Sequence, residues 1–470
     1  MMVLYSPVYF IFLAAIFLLY WPVARSRALA LTVILFANYF FYAKWNLLYL
    51  FLVPAASTCD FLLGLGIAAS SRQWLRRLLV TLSLLLNLGL LASLKYMPFL
   101  LENYAVLAGG LKPDWHWSFP LGISFYCFQS LTYTLDLYRQ DAKAARSYLA
   151  YLAAVSFFPT TLAGPITRVA ALLPQLERKD TSLSAEDGGR AIFLIGLGLI
   201  KKLLIGDYLG MNLVNRVFDF PNLYAGSEVA IAVYAYALQL YYDFSGYTDI
   251  AIGSALLLSI KLPANFKMPY AAENVPDFWR RWHITLSNWL RDYLYFSLPG
   301  LRSKWKIFTY ANLVLTMVIG GLWHGPSWTF VIWGLLHGVA LALTRLWQSA
   351  RGNPQPNTAW WAKGFRIFCT VQFVCFAWIF FRASSFGNAL AILRRIGSWT
   401  ISFDNISPGI GVVMLIALLA HYTPADLHKR LDQVFVRSPF YVQAAAMALL
   451  LLAIQYVAAT GAAPFIYTKF

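Results

Sequence analysis

The sequence predicts an all-α, polytopic membrane fold, on three observations. Hydrophobic residues fill 60% of the 470 positions and charged residues only 12%, about half the charged share of a soluble chain. The apolar residues come in runs long enough to cross a bilayer, separated by short basic loops. The runs lack the apolar–polar alternation of a membrane barrel, which leaves helices, because lipid offers the backbone no other way to satisfy its polar groups.

The first window, 5–23, has no basic stretch before it, and its apolar part is long for a cleavable leader. It therefore reads as a retained first span. Further windows follow at 28–43, 47–69 and 78–94. Those at 119–138 and 147–166 are interrupted. The next, at 190–209, is followed by 229–260, which is long for one span and carries Asp243, Gly246 and Asp249, so it reads as two segments or one kinked helix. The last are 307–323, 328–347, 365–381, 409–421 and 441–460. The expectation is 11–13 membrane helices, plus interfacial or re-entrant pieces, in one membrane domain over 1–470.

The formal net charge is +17. No soluble basic domain exists to hold nucleic acid, so nucleic acid is excluded as a partner. The basic residues cluster between apolar runs, at Arg25/Arg27, Arg72/Arg76/Arg77, Arg139/Lys143/Arg146, Arg280/Arg281/Arg291 and Arg302/Lys304/Lys306. That is the imprint of cytoplasmic loops, and it puts the N-terminus on the outer side. The same basic face also suits anionic lipid heads or a phosphate-bearing donor. The loops at 139–146 and 168–190 both ask to be inside, which they cannot be if 147–166 crosses fully. FFPTTLAGPITR (157–168) is therefore expected to be re-entrant or half-buried, lining a cavity. Cys59, Cys127, Cys369 and Cys375 form no CxxC pair and read as buried small hydrophobes.

Three polar constellations stand out. In PDFWRRWHITLSNWLRDYLYFSLPG (276–300), read as one helix, Arg280, His283, Ser287 and Arg291 share a stripe opposite Trp282, Leu286, Trp289 and Tyr293. An interfacial anchor explains the tryptophans and arginines, whereas a functional face also explains His283 and Ser287. Gln239, Asp243 and Tyr247 share a face at spacing i, i+4, i+8, with Arg280, Arg281 or Arg291 as the nearest partners in sequence for the carboxylate. A structural ion pair and a direct chemical role are both open for Asp243.

The third is IGGLWHGPSW (319–328). Its two glycines allow another backbone to approach, and Gly325-Pro326 break the helix just after His324. A buried imidazole bonded to a carbonyl and a general base at a cavity both fit that place. His324 and His337 are 13 residues apart, on different faces of a helix, and nothing has zinc-ligand spacing, so no metal is expected. No GxSxG is present either.

FWRRWHITLSNWLRDYLYFSL together with GGLWHGPSWTFVIWGLLHG resembles the membrane-bound O-acyltransferases, in particular the bacterial branch that includes the alginate O-acetylation proteins. FFYAKWN (40–46), PLGISFYCFQSLTYTLD (120–136), FFPTTLAGPITR and YYDFSGYTDIAIG (241–253) extend the match along the chain. The resemblance implies helices ringed around a funnel, with His324 as the catalytic histidine. His283 corresponds to the second histidine of related D-alanyl transferases. It implies a multi-pass protein of the bacterial inner membrane that carries an acyl group from a cytosolic thioester, acetyl-CoA above all, toward an exported polysaccharide. No bound cofactor is implied. A periplasmic esterase-like partner of SGNH type would finish the transfer.

Arg280, Trp282, Ser287, Trp289, Arg291, Asp243, Tyr247 and Trp323 would bind substrate or support the site. Tyr467, in the tail APFIYTKF, is a candidate acyl relay or an interfacial anchor, with Thr468 and Lys469 departing from the usual tail. Peptidoglycan O-acetylation and teichoic-acid D-alanylation are the nearest alternatives. A transporter or flippase is the alternative of another class, since broken helices and midplane polar groups serve transport too.

Overall fold

The computed structural model describes residues 2–110, 115, 122–178, 181–299, 305–352 and 359–457. Every regular element among them is helical. Among the described residues, five helices are long and apolar enough to cross a bilayer, at Tyr49–Ala69, Gln73–Ala108, Ile307–His324, Trp328–Ala350 and Trp360–Arg382, and a pair bent by 95° at 408–437 makes a sixth if taken as one span. Shorter apolar helices cover Pro7–Val23, Arg27–Ala43 and Phe440–Tyr456. The chain divides into two compact units, one of residues 1–195 and 247–263, the other of 196–246 and 264–470.

In the first unit the helices are α1 (Pro7–Val23), α2 (Arg27–Ala43), α3 (Tyr49–Ala69), α4 (Gln73–Leu91), α5 (Met97–Ala108), α6 (Ile123–Arg139), α7 (Tyr148–Val155), α8 (Phe158–Thr161), α9 (Val169–Glu177) and most of α10 (Ala185–Leu199). Ser6 starts α1 by accepting the Tyr9 N–H, with Pro7 in the first turn, where its missing N–H costs nothing. A π-turn at Ala92–Tyr96 joins α4 to α5 without ending the span.

Polar contacts inside this unit tie the helices together. Asp60 of α3 accepts from Ser83 (2.6 Å) and Asn87 (2.7 Å) of α4 and from Ser130 (2.7 Å) of α6. Arg76 was expected to face the cytoplasm. It is buried instead, donating to the carbonyls of Ile67, Leu137 and Tyr138, because the last-turn carbonyls of α3 and α6 lack partners further along their own helices and need donors.

The stretch after α7 is not a simple span. α7 has 8 residues, about 12 Å at helical rise, far short of a bilayer core. Asn38 of α2 reaches into the break, donating to the Ala153 carbonyl and accepting from the Phe158 N–H. Residues 150–167 are all buried. Irregular backbone at this depth is tolerable only because protein surrounds it.

The second unit holds α11 (Asn215–Asp219), the first part of α12 (Gly226–Leu257), α13 (Val275–Arg281), α14 (Ile284–Trp289), α15 (Lys306–His324), α16 (Trp328–Ala350), α17 (Trp360–Arg382), α18 (Phe386–Gly397), α19 (Pro408–His421), α20 (Ala425–Arg437) and α21 (Phe440–Val457). The window expected to be split or kinked is one unbroken helix, α12, of 32 residues. α15 and α16 form a tight antiparallel pair. A Cβ at Gly321 would collide with the Phe330 carbonyl and one at Gly334 with the Met317 carbonyl, so both positions need glycine. Gly320 faces only a side chain, Leu290. Cys127 and Cys375 are buried, but Cys59 and Cys369 are exposed on spanning helices, where lipid takes the place of the expected core.

Candidate active site

His324 is the last residue of α15. Gly325 continues in extended backbone, and Ser327 caps α16 by accepting the Thr329 N–H. The histidine thus sits at the break its sequence suggested, only 4% exposed. Its ring is caged by Trp323 (centroids 5.1 Å), Trp333 (5.2 Å, perpendicular) and Phe381 (5.1 Å).

The segment read as one amphipathic helix is broken. α13 ends at Arg281, and His283 takes a left-handed conformation, φ 41° and ψ 54°, before α14 starts. A π-turn over Leu290–Leu294 and a 3₁₀ turn follow. The shared stripe therefore does not exist. Arg280 and Arg291 are exposed and pair with Asp277 and Asp292, whereas His283 is wholly buried. Ser287 donates to the Trp282 carbonyl across the break. Trp282 and Leu286, expected to face lipid, lie in the protein core, and Trp289 is half-buried. Periodicity misled here because the kink at His283 turns the apolar side inward.

His283 is held on three sides. Its Nδ1 lies 3.1 Å from the Asn265 Oδ1. Phe244 meets the imidazole edge-on at 4.7 Å, and Trp323 lies 6.2 Å away. Trp323 thus has both His283 and His324 as ring neighbours. Burial lowers the His283 pKa to about 3, so the ring is neutral at physiological pH.

Asp243 pairs with a lysine. Lys202, wholly buried in a π-turn at Ile200–Asp207, bridges it (2.5 Å) to Asp207 (2.6 Å). Arg280 and Arg291 lie at the surface and the half-buried Arg281 pairs with Asp277, while an ammonium on the neighbouring element reaches the Asp243 carboxylate. Phe244, the next residue, is the one against His283. Tyr247 is buried four residues on, in the other unit. Tyr467 lies outside the described residues.

Sequence reading missed Asn265 and Lys202. Asn265 lay between the apolar windows 229–260 and 307–323, though it is 1% exposed. Lys202 had a signal that was passed over, a cation inside the apolar window 190–209 with an acid five residues later. His337 is buried as well and accepts the Trp279 Nε1–H at 3.3 Å. Both His324 and His337 pack against Trp333, at 5.2 and 5.1 Å. Among the described residues no group of three or more His, Cys, Asp or Glu is arranged to hold a metal ion.

Fold and site together define a polytopic helical membrane protein with two histidines buried in an aromatic interior. Residues 25–387 match the model of the membrane-bound O-acyltransferase family, MBOAT, and the chain belongs to that family. It is 37% identical over 417 residues to a probable alginate O-acetylase of Azotobacter vinelandii, covering 86% of this chain and 80% of the relative. It is 36% identical over 400 residues to a peptidoglycan O-acetyltransferase of Helicobacter pylori, covering 79% and 74%. A teichoic acid D-alanyltransferase of Bacillus subtilis is 29% identical over 57% of this chain and 69% of its own length. The protein is an O-acyltransferase with alginate O-acetylases among its relatives, and D-alanyl and peptidoglycan acyltransferases as related alternatives.

Proposed function

We propose that the chain moves an acetyl group from cytosolic acetyl-CoA across the bacterial inner membrane for O-acetylation of an exported, alginate-like polysaccharide. The observation that carries this reading is the packing of two buried imidazoles, His283 and His324, against one indole, Trp323, in a helical membrane protein. His324 takes the proton from an acceptor hydroxyl as its oxygen attacks the thioester carbonyl. The carbon–sulfur bond then breaks, and the leaving thiolate recovers the proton as free thiol. His283 or an indole N–H of the cage steadies the oxyanion. Trp282, Trp289 and Trp323 shape the site. Asp243 and Ser287 support it through the contacts described above, and the exposure of Arg280 and Arg291 supports a role for them in binding the phosphates of the donor.

A periplasmic esterase-like partner of SGNH type completes the transfer in this reading, and the N-terminus is periplasmic. The test is transfer of labelled acetyl from acetyl-CoA to membranes holding the chain, with and without candidate partners. His324→Ala should abolish it in a protein that still folds, whereas a transporter would keep its flux. Reporter fusions at the N-terminus decide its side. Tyr467→Phe tests the relay, since full activity in that variant leaves Tyr467 as an anchor. The similarity to a peptidoglycan O-acetyltransferase favours peptidoglycan as the second acceptor to try.

A further inference from the structure

We propose that Asn265 is a positioning residue that fixes His283 as its Nδ1–H tautomer and so puts the imidazole lone pair on Nε2. The inference rests on the reading above that His283 takes part in acyl transfer. It follows from one oxygen and three donors. The Asn265 Oδ1 lies 3.2 Å from the Thr285 backbone N, 2.9 Å from the Thr285 Oγ1 and 3.1 Å from the His283 Nδ1. A backbone N–H can only donate. The atom facing it must therefore be the amide oxygen, since the reverse orientation would set an NH₂ against an N–H. A carbonyl oxygen in turn can only accept. The His283 nitrogen beside it must carry the hydrogen, and in a neutral imidazole the other nitrogen then holds the lone pair.

The backbone keeps the arrangement in register. Ile284 N–H donates to the Asn265 carbonyl and Lys267 N–H to the Arg281 carbonyl, both at 2.9 Å, clamping the left-handed His283 between them. Phe244 and Phe266 close over the ring. Asn265 is 1% exposed, so water does not compete for the amide.

The consequence concerns role. A neutral His283 so held cannot donate from Nε2 to an oxyanion and instead accepts a proton there. Stabilising the oxyanion then falls to the Trp333 indole N–H of the cage, while the proton taken from the acceptor hydroxyl passes through an imidazole to the leaving thiolate.

The test is 15N NMR of histidine-labelled full-length protein in detergent, with the His283 signal assigned by its loss in His283→Gln, alongside acetyl transfer in membranes. Wild type should show Nδ1 protonated and Nε2 bare. Asn265→Ala should lose that preference and lower transfer by about 100-fold, within the usual range for acid–base catalysis. Asn265→Asp keeps an acceptor at the same place and should restore the tautomer and at least about tenfold of the lost transfer. An Nε2–H tautomer in the wild-type protein overturns the proposal whether or not any variant folds. So does Asn265→Ala with an unchanged tautomer or unchanged transfer, or Asn265→Asp without rescue. Full transfer in His283→Gln instead overturns the reading on which the proposal rests.

Discussion

The indole of Trp323 lies 6.2 Å, centroid to centroid, from the imidazole of His283, on a different segment of the chain, while its own neighbour in sequence, His324, flanks it at 5.1 Å. Two histidines 41 positions apart are thus brought to one side chain. The break at Gly325 ends α15 at His324, and the left-handed turn at His283 ends α13 just before it. Each imidazole sits where helical hydrogen bonding stops.

A flat aromatic ring packed against both imidazoles should matter more than the indole's chemistry. Trp323→Phe should keep acetyl transfer within about tenfold of wild type. Trp323→Ala removes the ring, leaves a cavity that costs about 3–5 kcal/mol, and should lower transfer about 100-fold or more through misplacement. Transfer normalised to protein in the membrane, with thermal midpoints alongside, separates the two variants. Equal transfer in both would remove Trp323 from the account.

The hairpin of α15 and α16 makes a sharper test, because adjacent glycines differ. Gly321→Ala drives a methyl into the Phe330 carbonyl, whereas at Gly320 the nearest atom is the Leu290 Cδ1 at 3.0 Å, the end of a flexible side chain. Overpacking against backbone costs about 1–3 kcal/mol. Gly321→Ala should lower the thermal midpoint and acetyl transfer together, since His324 is three residues on. Gly320→Ala should change both little. The reverse order would mean that the close approach of the two helices does not position His324.

That contrast shows how far the sequence could be read. Two glycines before a histidine and Gly-Pro after it announced a close approach and a break, and both are present, but only Gly321 makes the approach. Five of the windows read from apolar length fall on helices long and apolar enough to cross a bilayer. The segment around His283 was not legible, because a helical stripe drawn through 276–300 assumes the very continuity that the left-handed His283 interrupts. No propensity scale foresees that turn, since it is stabilised by bonds to Asn265 and Lys267, about 15 residues earlier in the chain. The partner of Asp243 was missed for a related reason. Nearness in sequence suggested an arginine, while packing delivers Lys202.

The depressed pKa of His283 has a thermodynamic sign. In the unfolded chain this histidine takes up a proton near the ordinary value of about 6.5, but in the folded protein only near 3. Below about pH 6.5 the unfolded state therefore binds more protons, and stability falls as pH drops toward 3. At pH 5 this single group costs about 2 kcal/mol. His283→Gln lacks the term, so its thermal midpoint should fall less than that of wild type between pH 7 and pH 5. An equal fall in both proteins would show that His283 is not held neutral by burial.

The buried ammonium of Lys202 between Asp207 and Asp243 makes the last prediction, which separates support from chemistry. Gly206 lies against the backbone of Asp243, so the π-turn carrying Lys202 sits directly on α12, one residue from the Phe244 that meets His283. Lys202→Met leaves two buried carboxylates without their shared cation, a change that costs about 3–5 kcal/mol. Acetyl transfer should fall with it as α12 shifts. The neutral triple variant Lys202→Met, Asp207→Asn, Asp243→Asn removes the uncompensated charge and should recover most of the stability, because a buried ion pair adds little beyond a well-packed neutral substitute. If the triad only supports α12, transfer returns with stability, as read by thermal midpoint and labelled acetyl in the same preparation. If stability returns while transfer stays lost, the charges of Asp243 and Lys202 take part in the reaction itself, and the supporting role assigned to them is wrong.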